Sequence, residues 1–110
     1  MARLEAGSAG VNAYVYILRC RHGKYYVGSA RGSLEKRVAE HNAGRYGGFT
    51  SYRRPVELVF AEYFDRITDA IAAERRIKGW SRAKKEALIR GDFGELKALA
   101  SRATHPSRRA

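Results

Sequence analysis

The chain has 110 residues, 45% hydrophobic and 30% charged, which suits one folded domain with a single modest core and excludes a disordered chain. Its net charge of +11 is uneven, with eleven Lys/Arg against three acids in residues 75–110 and eleven against eight in residues 1–74. Such a basic end favours a polyanion; the competing explanations are solubility and an acidic membrane surface, the latter without an amphipathic aromatic stretch to support it. Residues 1–11 are small, Gly/Ala-rich and expected to be flexible. Ala13 to Cys20 (AYVYILRC) is β-branched and aromatic and predicts a strand. Cys20, the only cysteine, allows no intramolecular disulfide or cysteine-based zinc site and reads as a small core residue. Arg21 to Lys24 forms a hairpin loop, and Tyr25 to Ala30 (YYVGSA) returns with Gly28 near its end. Ser33 caps a helix from Leu34 to Ala43, which Gly44 ends.

Residues 44–55 form a Gly/Arg-rich loop closed by Pro55, and Val56 to Phe64 is a third strand whose polarity does not alternate cleanly. A helix from Ile67 to Lys78 follows, then one from Arg82 to Arg90 between Ser81 and Gly91. Asp92 and Glu95 resemble a capping box for a last helix to about Ala100. Residues 102–110 are expected to be a disordered basic tail. No run of ~18 apolar residues and no signal-length apolar start occurs, so a reducing cytosol is the expected location and no membrane partner is expected.

Two helices carry side chains that hydropathy does not explain. At ~100° per residue, Ile67, Ala70, Ile71, Glu74 and the stem of Lys78 share one face, so Glu74 lies in an apolar stripe. A carboxylate there is costly unless it is paired or holds a metal. On the first helix Leu34, Arg37, Val38 and His41 share a face, which stacks Arg37 and His41 beside the core. Arg37 can offer a planar fork of donors to a phosphate, and His41 can exchange a proton near neutral pH. An Arg37–Glu74 structural bridge and a histidine that merely ends a helix are the plain alternatives.

Tyr14-Val15-Tyr16 in the first strand, Tyr26-Val27-Gly28 in the second, Arg37 and His41 on a helix and Glu74 on a later one stand in a fixed order. This set resembles the GIY-YIG nuclease domain, and most of all its small stand-alone bacterial members, over roughly residues 13–90. The resemblance implies an α+β fold, a three-stranded antiparallel sheet flanked by helices (β-β-α-β-α-α), with residues 12–101 as the single domain. It also implies hydrolysis of nucleic-acid phosphodiesters with one divalent ion, Mg²⁺ or alternatively Mn²⁺. By position, Glu74 matches the metal-binding glutamate, Arg37 the arginine at the reacting phosphate, Tyr16 and Tyr26 the motif tyrosines, and His41 a histidine of several branches.

The residue types fit that chemistry. A magnesium ion on one carboxylate keeps several waters and can stabilise the leaving oxygen. Arg37 adds positive charge where negative charge grows. Tyr16 is the candidate to position or deprotonate the attacking water, with His41 the alternative base and Tyr26 an orienting group. Gly28 is expected to let the chain turn close to the substrate. Arg53 and Arg54 are candidate nucleic-acid contacts or shape the loop before Pro55, and Lys78, Arg82, Lys84 and Lys85 are candidate nucleic-acid contacts or a solvated face. Tyr14 stands where the motif has glycine and adds bulk beside Tyr16. The asparagine that some members place after the glutamate is missing, since only Asn12 and Asn42 occur. The expected activity is structure-selective or low-specificity cleavage, of DNA more than RNA, with room for a targeting protein partner. The alternative is a non-catalytic nucleic-acid-binding module that keeps the fold.

Overall fold

The computed structural model describes residues 13–45 and 53–104, the last four by backbone alone. The chain divides into two compact units, residues 1–76 and 77–110, each described by itself. In the first unit, strands β1 (Ala13–Arg19), β2 (Tyr25–Arg31) and β3 (Glu57–Phe64) form one antiparallel sheet in the order β2-β1-β3. Helix α1 (Leu34–Asn42) follows β2, and helix α2 (Ile67–Lys78) follows β3 and runs into the second unit. The second unit holds α3 (Arg82–Arg90) and α4 (Phe93–Thr104). The α+β fold expected from the sequence is the fold observed.

Central placement explains the apolar first strand. Ala13 through Leu18 of β1 are buried without a break, because both faces of the middle strand are covered. Tyr14, Tyr16 and Leu18 stand opposite Ala30, Gly28 and Tyr26 of β2, so these six share one face. That face forms a core with Cys20, Leu34 and Val56, against which Val38 and Ala61 pack. Burial pushes the Cys20 thiol up, more than the nearby Arg53 charge pulls it down, so it packs as a neutral core group. Val15, Ile17 and Val27 are buried on the opposite face.

The irregular polarity of β3 has a physical cause. Ile17 pairs with Phe60, but the next residue, Leu18, pairs with Leu58. Val59 is therefore an extra residue in a bulge, which shifts the in–out alternation by one position. The ends of α1 are also fixed locally. The Ser33 hydroxyl accepts from the Lys36 amide at 3.1 Å. Asn42 clamps the far end to the start of β3: its side-chain NH2 donates to the Val56 carbonyl (3.2 Å), and its side-chain Oδ1 accepts from the Val56 amide (2.7 Å). Asn42→Ala is expected to cost about 1–3 kcal/mol, since it strands both backbone groups. Denaturant unfolding checks this; a change within about 0.5 kcal/mol, the surface-substitution range, would count against the clamp.

Two expectations need correction. The buried stripe of α2 runs through Ala70, Ala73 and Ile77, while Ile67, Ile71 and Glu74 are only half-buried and Lys78 is exposed. Glu74 thus sits at the margin of the stripe rather than within it, because small alanines, which weigh little in a hydropathy pattern, form its centre. The last helix continues to Thr104, so residues 102–104 are helical rather than part of a tail. The glycine-rich N-terminal residues 1–11 and residues 105–110 lie outside the described residues.

Candidate active site

Strand pairing brings the motif tyrosines together. Tyr16 and Tyr26 have ring centroids 6.2 Å apart, and His41 joins them from α1 at 5.9 Å from Tyr16 and 5.0 Å from Tyr26. Tyr16 is 2% exposed and His41 1%, while Tyr26 and Arg37 are half-buried. Bulk water is therefore kept from the inner pair, and Tyr26 and Arg37 form the more accessible side. The Tyr16 hydroxyl lies 3.0 Å from His41 Nε2; with a neutral imidazole protonated on Nδ1, the hydroxyl donates and the ring nitrogen accepts.

Burial and then the nearby Arg37 charge hold the His41 pKa below its ordinary value, against a smaller upward pull from Glu40. His41 is thus neutral at neutral pH and able to take a proton. An unfolded histidine titrates near ~6.5. As pH falls through that value the unfolded chain gains a proton that the folded chain refuses, so stability falls until the folded pKa is passed. His41→Gln is expected to flatten this acid limb, measured as unfolding free energy at neutral pH and at mildly acid pH. An unchanged limb would place the titration elsewhere.

Gly28 has a different reason from the one expected. It lies within β2 and makes no turn. A Cβ there would come 2.7 Å from both Cζ and the hydroxyl of Tyr16 and 3.0 Å from the Tyr26 ring. The missing side chain is the space in which the Tyr16 ring lies. Tyr14 stands on the other flank of Tyr16, opposite Ala30. It is fully buried in the core, with its ring 5.8 Å from Tyr16 and 5.6 Å from Tyr63. Its bulk therefore fills the core and lies on the side away from Tyr26.

Glu74 is tied to β2, on the face opposite the tyrosine–histidine cluster. The Ser29 hydroxyl donates to Glu74 Oε1 at 2.5 Å. Among the described residues no three His, Cys, Asp or Glu side chains gather into a metal-ligating group. A half-buried carboxylate of this kind fits magnesium, which accepts one or two protein oxygens and retains water. Sequence reasoning passed over Ser29 and the Asn42 clamp. Strand alternation could have flagged Ser29, since it places that residue on the face away from Tyr26.

Several basic candidates have local work. The Arg54 guanidinium donates to the Asn42 carbonyl at 3.1 Å and caps α1. The Arg53 carbonyl accepts from the Arg21 amide. In the second unit, Arg82 pairs with Glu86 at 3.0 Å and the Lys84 ammonium sits 4.4 Å from the Trp80 ring centroid. Lys85 is half-buried and Lys78 exposed.

Residues 12–87 match the family model of the GIY-YIG catalytic domain. A UPF0213 protein of Staphylococcus saprophyticus is 45% identical over 76 residues, covering 69% of this chain and 92% of the relative. One from Natronomonas pharaonis is 46% identical over 81 residues, covering 74% and 94%. A UPF0213 protein of Bacillus halodurans, solved by NMR in solution, is 36% identical with a TM-score of 0.46, covering 71% of this chain and 82% of that one.

Proposed function

The chain belongs to the GIY-YIG family, and from that premise we propose that it is a metal-dependent endonuclease that hydrolyses nucleic-acid phosphodiester bonds. DNA is the favoured substrate, cut by structure or with low sequence specificity. The observation that carries this reading is the buried Tyr16–His41 hydrogen bond, with the histidine held neutral beside Arg37.

A phenol is a weak base at neutral pH, since its own pKa is ~10. A neutral imidazole at its hydroxyl changes that: as Tyr16 takes a proton from a single attacking water admitted from the accessible Tyr26 side, its own proton can pass to His41 Nε2. The pair then works as one acceptor, in the manner of a base whose partner is oriented by a third group. Arg37 disfavours an imidazolium while the site is empty. When a phosphate arrives, its negative charge offsets that repulsion and Arg37 turns to the non-bridging oxygens. Tyr26, on the accessible side, orients water or phosphate.

Glu74 would hold Mg²⁺ or Mn²⁺. Bound there, the ion supplies Lewis-acid polarisation of the phosphate and relief of charge on the leaving oxygen. The basic second unit, with Lys78, Arg82, Lys84 and Lys85, adds phosphate affinity without sequence readout; sequence choice then falls to substrate shape or to a targeting protein. Among the described residues no helix is long and apolar enough to cross a membrane.

Incubation of purified protein with labelled single-stranded, duplex, branched and RNA substrates tests the proposal, with Mg²⁺, Mn²⁺ or EDTA. Metal-dependent cleavage of a DNA substrate is expected. Tight binding with no product on any substrate would instead make the protein a nucleic-acid-binding module that keeps the fold.

A further inference from the structure

We propose that Ser29 is the positioning residue of the metal-binding carboxylate, an inference that rests on Glu74 being the ligand. Three observations support it. The Ser29 hydroxyl donates to Glu74 Oε1 at 2.5 Å. Both side chains are half-buried, so water competes for this bond only in part. The register of β1 with β2 is unbroken, so Ser29 points to the face opposite Tyr26 and Gly28.

Adjacent residues of one edge strand therefore serve the two halves of the site. Gly28 leaves room for Tyr16 on one face, and Ser29 holds Glu74 on the other. A glutamate has three side-chain torsions and can swing its carboxylate by several ångströms. A strand hydroxyl bonded to one oxygen narrows that range and registers the carboxylate to β2, the strand that carries Tyr26 and Gly28. Groups of this kind orient ligating carboxylates, and their loss costs typically ~10–100-fold in metal affinity. The simpler role is structural, with Ser29 merely satisfying a half-buried carboxylate. That role predicts altered stability and unaltered metal binding.

The test is the Mn²⁺ dissociation constant, read by electron paramagnetic resonance on the free protein, with thermal unfolding alongside. Ser29→Thr and Ser29→Val are matched in shape and differ in the hydroxyl, so a general packing defect affects both. Ser29→Ala and Ser29→Val are expected to weaken Mn²⁺ binding by about 10–100-fold, and Ser29→Thr to restore most of it. In a Glu74→Gln background, Ser29→Val should add nothing, because the serine acts through the carboxylate. In cleavage assays the half-saturating Mg²⁺ concentration should rise by a similar factor. Equal Mn²⁺ affinity for the valine and threonine variants would overturn the role of Ser29. Equal affinity for wild type and Glu74→Gln would overturn the assignment of Glu74 itself.

Discussion

Glu74→Gln is expected to abolish cleavage and leave the fold intact. The substitution keeps the length of the side chain, and its amide oxygen can still accept the Ser29 hydroxyl seen at Oε1. It removes the negative charge that a divalent ion requires. The loss should exceed about 100-fold, since even groups that only support a metal ligand reach that scale. A purely structural carboxylate predicts the reverse. Loss of a hydrogen bond to a charged, half-buried group costs about 1.5–3 kcal/mol, so a structural Glu74 would show as a lowered melting temperature with turnover preserved. Turnover and thermal unfolding on one preparation separate the two cases.

Tyr16→Phe should lower turnover by about 100- to 10,000-fold, the range ascribed to a positioned acid or base. Substrate affinity should barely change, because a neutral hydroxyl adds little ground-state binding. Some stability will go with it, since His41 loses the bond it shares with that hydroxyl. Circular dichroism at the assay temperature guards against mistaking unfolding for lost chemistry. A variant as fast as wild type would show Tyr16 to be a core residue and nothing more.

The order of elements was legible because each carries a strong local signal. β1 is an unbroken apolar strand, Ser33 and Ser81 cap helices that begin one residue later, and the N-terminal boundaries of α2 and α3 lie where periodicity puts them. The Asp92 side chain accepts from the Glu95 amide, as its spacing suggests. Other features depend on three-dimensional fit, and sequence pattern does not encode fit. The need for glycine at position 28 arises from a ring on the neighbouring strand. The role of Asn42 arises from a backbone fourteen residues away. The margin position of Glu74 depends on two alanines that a hydropathy reading underweights. Arg54 reads as a phosphate contact or a loop-shaping residue, and its position across the end of α1 depends on the path of the loop.

In the proposed reaction Tyr16 and His41 act as one proton acceptor at a phosphodiester. Single-turnover cleavage rates for wild type, Tyr16→Phe, His41→Gln and the double variant test it most directly, on one substrate at saturating Mg²⁺. Residues that work as a unit are non-additive, so the double variant should be no slower than Tyr16→Phe alone. Losses that multiply in full in the double variant would contradict the shared role.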